Sequence, residues 1–221
     1  MTDWNIPLEY HIPNEHREIL EMLLDRVARA LEKVKIQYFI DGGTLLGAVR
    51  HNGQIPFDDD IDIGVFHQNF DLLASILATN IEKDPRYEVS IEVSTPALIK
   101  VYVAEMWVKN LNTGAIIGTP TLDIFRWEKH SDQIRLWSPY DRRTFKNCFY
   151  AKKEFYPLVD YKFGNTIVKG SSNPEKYLHR YYGKDCLEIC KMDLRIEDGS
   201  LNKNKNAINF QLAKKDTGAG K

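Results

Sequence analysis

The stretch from Asp41 to Gly64 constrains this chain more than any other. It opens with Asp41-Gly42-Gly43-Thr44, continues to Arg50, passes a loop broken by Gly53 and Pro56, and ends in Asp58-Asp59-Asp60-Ile61-Asp62-Ile63-Gly64. An apolar run, Ile36 to Ile40, leads into the glycine pair, and a short helical run from Thr44 to Arg50 leaves it. Glycines let the backbone turn sharply and approach a ligand closely. The helix that follows presents its unpaired N–H groups and the positive end of its dipole to whatever lies in front of it. Gly42 and Gly43 therefore predict an anion pocket, with the Thr44 hydroxyl as an added donor.

The carboxylates predict the opposite charge preference. Residues two apart on a strand share a face, so Asp60 and Asp62 project together from a strand predicted over 61–66. The run enters an apolar strand, where unpaired carboxylates are costly to bury. A hard, oxygen-seeking cation, Mg²⁺ or Mn²⁺, relieves the repulsion, with phosphate oxygens completing its shell. Asp58, Asp60 and Asp62 imitate the start of a calcium-binding EF-hand loop, but Ile63 and Asn69 stand where that loop needs Gly and Glu. A phosphate cradle beside a metal cage is the equipment of phosphoryl or nucleotidyl transfer.

Seven further residues are weighed against structural roles. In the strand Thr121 to Phe125, Leu122 and Ile124 share one face and Asp123 the other. Asp123 becomes a third metal ligand or a base if its strand lies beside the Asp-x-Asp strand. Lys100, alone in the apolar run Ala97 to Val103, either neutralises phosphate or snorkels from an edge strand. Arg50 is expected to serve phosphate rather than cap helix carbonyls. His51 reads as loop or packing, and Tyr177, Tyr181 and Tyr182 as core.

The rest of the chain frames this stretch. Its 221 residues suit one domain with a small appendage. Thirty basic and 31 acidic residues give a net charge of -1, so neither nucleic acid nor an acidic membrane is expected as a partner. Cys148, Cys186 and Cys190 are too few for a disulfide framework and read as buried thiols, with Cys186 and Cys190 spaced to share a helix face. No signal peptide and no run of membrane-spanning length is seen, so a cytoplasmic location is expected. Residues 1–35 read as an arm followed by an amphipathic helix over 15–35, 36–185 as the catalytic domain, and 186–221 as an extension with a disordered tail. A helix is predicted over 70–81, strands over 87–93 and 133–137, a hairpin around Asn112 to Gly114, and a helix opening at Asn173-Pro174 and closing at Gly183.

With these residues laid out, the chain resembles the LicD/fukutin-related family. The resemblance rests on Gly42 to His51, on Ile55-Pro56-Phe57-Asp58-Asp59-Asp60-Ile61-Asp62-Ile63-Gly64, and on Thr121 to Phe125. It continues through Phe155 to Leu158, Phe163-Gly164, Asn173 to Leu178 and Tyr182-Gly183. Phe57 stands where the family has Trp. The resemblance implies an α/β (α+β) nucleotidyltransferase-type fold: a mixed β-sheet flanked by helices, the site on one edge and a C-terminal helical and loop extension. It implies transfer of a phospho-alcohol, such as phosphocholine or ribitol phosphate, from a CDP-alcohol donor to a glycan hydroxyl, with Asp60, Asp62 and Asp123 as metal-binding acids. The zinc-binding insert and the N-terminal anchor of the animal members have no counterpart in the sequence. The residues by themselves also allow nucleotidyl transfer to a small molecule or protein, or a non-catalytic binding module. Nothing in the sequence sets the oligomeric state.

Overall fold

A computed structural model describes residues 6–104, 108–109, 116–192 and 208–211. After a 3₁₀ turn at Leu8–Tyr10, helix α1 spans Asn14–Lys33. Pro13 precedes its first turn, so Asn14, the expected cap, is the first helical residue. Its apolar stripe, Ile19, Leu20, Leu23, Leu24, Val27 and Leu31, is almost fully buried. Strand β1 (Tyr38–Ile40) runs into helix α2 (Gly42–His51), which begins at the glycine pair itself. Gly42 has φ +53°, a conformation glycine adopts without penalty.

Strand β2 (Asp60–Phe66) follows, then two short helices, α3 (His67–Phe70) and α4 (Leu73–Asn80). The single helix expected over 70–81 is thus broken at Asp71 and Leu72. Arg126 pairs with Asp71 at 3.2 Å, Phe70 is buried, and Leu72 is left 68% exposed, so the apolar run continues across the break. Strands β3 (Val89–Thr95) and β4 (Leu98–Val103) form a hairpin. Strands β5 (Val108–Lys109) and β6 (Ile116–Gly118) pair antiparallel, consistent with the expected hairpin, whose tip lies outside the described residues.

Strand β7 (Thr121–His130) is the spine of the sheet. It pairs with β2 in parallel over 121–127 and, on its other side, with β4 over 121–125. Its far end pairs with β8 (Gln133–Leu136), which pairs in turn with β9 (Phe149–Ala151). The main path is β1-β2-β7-β4-β3, a mixed sheet. Helices α5 (Pro139–Thr144) and α6 (Lys152–Phe155), the hairpin β10 (Val159–Phe163) with β11 (Thr166–Gly170), and helix α7 (Pro174–Tyr182) complete the fold. Strand β12 (Ile189–Met192) pairs with β13 (Ile208–Gln211). The expected loop at 198–206 and the tail from Lys214 lie outside the described residues.

Register explains both faces of the sheet. Ile61, Leu122 and Val101 form one row across β2, β7 and β4, and Ile63, Ile124 and Ile99 the next. All six are buried, and α1 lies over the same three strands. The opposite face carries the row Asp62, Asp123, Lys100 and Glu92. Two residues along β2 that face turns aromatic. Phe39 lies over Gly64, where an added Cβ would clash with its ring, and packs edge-on against Trp127, Tyr150 and Phe155. The polar row is therefore one end of a face whose remainder is core.

Candidate active site

The site forms where the start of α2 meets the starts of β2 and β7. Two backbone-level ties fix α2 to β2. The Asp41 N–H donates to the Asp62 carbonyl (3.1 Å), and the Asp62 N–H donates to Thr44 Oγ1 (2.8 Å). Thr44, expected as a phosphate donor, is buried, and its oxygen serves this strand contact. The glycines permit close carboxylates. A Cβ on Gly42 would stand 2.8 Å from Asp62 Oδ2, and one on Gly43 2.6 Å from Asp58 Oδ2. The acids thus crowd the helix start, a position the dipole favours.

Asp62 and Asp123 are direct cross-strand partners. Their juxtaposition is the condition under which Asp123 was expected to join the site. Burial raises the Asp62 carboxyl well above the ordinary range, and the charges of Asp60, Asp123, Asp58 and Asp41 add to that. Asp123 is also raised by burial, against the pull of Lys100. The Lys100 ammonium donates to both Asp123 oxygens at 2.8 Å. Strand β4 is interior, with β3 outside it, so Lys100 does not snorkel from an edge; it balances one acid of the row.

Among the described residues, three acids that can each bring one oxygen within 4.8 Å of the others are Asp58, Asp59 and Asp60. With the effective dielectric of about 20 that suits groups near a protein surface, two unit charges at that separation repel by roughly 3 kcal/mol. A divalent cation fits this donor set: the ligands are all oxygen, and crowded carboxylates lie beside Asp62 with its raised carboxyl. The loop that carries them is held by its carbonyls. The Gln54 amide donates to Asp58 O (3.0 Å) and Asp60 O (2.9 Å), and His16 Nε2 on α1 bonds Asp59 O (2.9 Å).

Beneath the row lies a buried network. Tyr150 donates to Asp41 Oδ1 at 2.6 Å, and Tyr177 stacks on Tyr150 with ring centroids 3.9 Å apart. Burial raises the Asp41 carboxyl, opposed by hydrogen bonds from Tyr150, Tyr177 and the Gly42 N–H. Tyr177 is core, as expected. Tyr181 and Tyr182 instead line, with Phe125 and Phe145, a cavity of about 230 Å³ that Asp41, Gly42, Asp60, Asp62 and Asp123 also line. Three larger clefts, of about 600, 520 and 270 Å³, contain neither the glycine turn nor the Asp-x-Asp. Asp41, His16, Gln54 and the aromatic lining were not foreseen as parts of the site. Only Asp41, next to the glycine pair, carried a local signal.

Arg50 departs furthest from expectation. Its buried guanidinium donates to Cys186 O (2.8 Å), Ile189 O (3.3 Å) and Cys190 Sγ (2.9 Å), tying α2 to the C-terminal segment rather than presenting to phosphate. Cys186 and Cys190 share no helix; Cys190 lies on β12, and all three thiols are free and buried. Arg50 Nε also donates to His51 Nε2 (2.9 Å), which fixes that nitrogen as an acceptor. Burial, with the Arg50 charge beside it, pushes the His51 imidazole down to about 3. A folded value below the unfolded 6.5 means that the unfolded chain binds more protons between these limits, so stability is lost as pH falls from 6.5 toward 3. His51→Gln keeps an acceptor and removes this penalty. Urea melts should show wild type losing about 1–2 kcal/mol relative to His51→Gln between pH 7 and 5. A pH-independent difference would contradict a half-buried, neutral His51.

Comparison with known proteins agrees with this geometry. The family model described as "LicD/FKTN/FKRP, nucleotidyltransferase domain" matches residues 35–170. An uncharacterized protein of Rickettsia typhi is 36% identical over 173 residues, covering 78% of this chain and 48% of the relative. The ribitol 5-phosphate transferase FKRP of Homo sapiens is 45% identical over 175 residues, covering 73% of this chain and 30% of that protein. The lipopolysaccharide cholinephosphotransferase LicD of Haemophilus influenzae is 54% identical over 41 residues, 19% of this chain and 16% of its own length. The chain thus spans about half or less of the length of these relatives. With the family model covering most of the chain and its glycine turn and in-register acids assembled in one site, the chain belongs to the LicD/FKTN/FKRP family of nucleotidyltransferase-fold domains.

Proposed function

We propose that this chain is a metal-dependent transferase that moves a phospho-alcohol from a CDP-activated donor to a glycan hydroxyl and releases CMP. The observation that carries the reading is the in-register pair Asp62 and Asp123 facing the glycine start of α2, in a family whose named members include a cholinephosphotransferase and a ribitol 5-phosphate transferase. Mg²⁺ or Mn²⁺, held by Asp60 and Asp62 with Asp123 or the neighbouring acids of the loop, would supply charge neutralisation at the donor's phosphates. The chain's own residues do the rest. The Gly42 N–H is engaged by the Asp41 carboxyl, so Gly42 admits the donor by close backbone approach, and the first-turn N–H groups from Gly43 onward donate to phosphate oxygens. The acceptor hydroxyl attacks the phosphorus that bears the alcohol, the bond from that phosphorus to the bridging oxygen breaks, and CMP leaves with the electron pair. Asp123 takes the hydroxyl proton, its carboxyl already raised by burial, and the Lys100 ammonium it releases faces the departing phosphate.

The donor class is tested by melting. In the presence of Mn²⁺, CDP-choline, CDP-ribitol or CDP-glycerol should raise Tm more than the matching UDP, ADP and GDP compounds. The shift should shrink with EDTA. Equal shifts from every base would remove the cytidine assignment.

A further inference from the structure

The three consecutive carbonyls of Asp58, Asp59 and Asp60 are each held by a side chain, two by Gln54 earlier in the same connection and one by His16 on α1. Asp58 O and Asp60 O accept from one Gln54 amide, at 3.0 and 2.9 Å, and Asp59 O accepts from His16 Nε2 at 2.9 Å. A carbonyl only accepts, so His16 Nε2 carries its proton here. Both holders are buried, His16 fully and Gln54 with 8% exposure. Each also leaves a buried atom with no hydrogen-bond partner, His16 Nδ1 and Gln54 Oε1. Buried orphan polar atoms are rare, and their retention calls for an explanation.

Fixing three successive carbonyls fixes the peptide planes between them, and with those planes the directions in which the Asp58, Asp59 and Asp60 side chains leave the backbone. The carboxylates of these residues are the ones that can converge within 4.8 Å. Like charges at that distance push the loop apart, so the converged arrangement needs a restraint that does not itself neutralise the acids. Backbone-directed donors meet that need, since they leave the carboxylate oxygens to a cation. We infer that His16 and Gln54 are positioning residues that hold the acid loop in its cation-receiving form, acting on metal affinity through the backbone of Asp58 to Asp60. The inference rests on the acid loop sharing, through Asp60, in the cation site of the proposed function. It does not depend on which donor or acceptor the enzyme uses.

The test is Mn²⁺ binding by the full chain, read by electron paramagnetic resonance without nucleotide. Gln54→Met and His16→Met preserve side-chain bulk and remove the donors. Each should weaken Mn²⁺ binding about 10-fold or more, the range typical of groups that orient metal ligands. His16→Gln and His16→Asn separate positioning from general structural damage. Glutamine places its amide nitrogen the same number of bonds from the backbone as Nε2, whereas asparagine places it where Nδ1 lies. His16→Gln should retain wild-type affinity within about 3-fold, and His16→Asn should bind as weakly as His16→Met. Unchanged Mn²⁺ affinity in both Met variants would overturn the inference. So would equal affinities in His16→Gln and His16→Asn, a comparison between two polar variants that holds even if the Met variants fold poorly. Because the readout contains no nucleotide, loss of the CDP-alcohol reading would not change its meaning.

Discussion

Asp62→Asn should reduce turnover by ~10²-fold or more while making the metal-free protein more stable. The first effect follows from removing a ligand charge where phosphate charge must be neutralised, a loss of about 3 kcal/mol or more of transition-state stabilisation. The second follows from the neighbours. Burial and the charges of Asp60, Asp123, Asp58 and Asp41 raise the Asp62 carboxyl well above 3.8. A folded value above the unfolded one means that the folded state binds more protons in that window. The wild-type protein therefore loses stability as pH rises from 3.8 through the raised value, and below 3.8 the penalty is absent. Asparagine has no proton to lose. The stability gap in favour of the variant should open across that window and level off above it. Mn²⁺ should reverse the order by stabilising wild type more than the variant. A variant that kept wild-type turnover, or melted lower than wild type at neutral pH without metal, would remove Asp62 from the cation site.

Gly43→Val should separate binding from folding. The substituted Cβ would stand 2.6 Å from Asp58 Oδ2, the movable end of a side chain, so the chain can still fold with Asp58 displaced. The branched side chain then fills the approach to the first-turn N–H groups. Donor affinity in calorimetry should fall about 30-fold or more, a loss of about 2 kcal/mol, with little change in Tm. Gly47→Ala gives the contrasting case. Its Cβ would meet the Gly53 carbonyl oxygen at 2.5 Å, a backbone atom that cannot rotate away, so stability rather than affinity should suffer. Unchanged donor affinity in Gly43→Val would place the phosphate pocket elsewhere.

The residues that were legible in advance share a property: their signal is local. The Asp-x-Asp spacing, the glycine pair before a helical run and the alternation around Asp123 each follow from a backbone period within a few residues. The pairing of β2 with β7 was legible only as a condition on Asp123, because register is a long-range property. What was not legible depended on partners far along the chain. His16 reaches Asp59 across 43 positions, and Arg50 reaches Cys186 across 136. In sequence, Arg50 after a glycine turn reads as a phosphate ligand; in the fold, the carbonyls around Cys186 and Ile189 claim its donors. Tyr177, Tyr181 and Tyr182 sit on one helix, yet Tyr177 packs under Asp41 while the other two line the cavity, a division that helical spacing alone does not resolve. The break between α3 and α4 escaped for a related reason, since the apolar pattern continues through it.

The most direct test follows the products of a single reaction. The chain is incubated with Mn²⁺, a CDP-alcohol and a glycan acceptor, while nucleotide release and acceptor mass are monitored together. The predicted result is CMP, with an acceptor heavier by the phospho-alcohol, both lost with EDTA and in Asp62→Asn. A nucleotidylated acceptor, or consumption of a nucleoside triphosphate with release of pyrophosphate in place of CDP-alcohol turnover, would contradict phospho-alcohol transfer and assign the same fold and acids to nucleotidyl transfer.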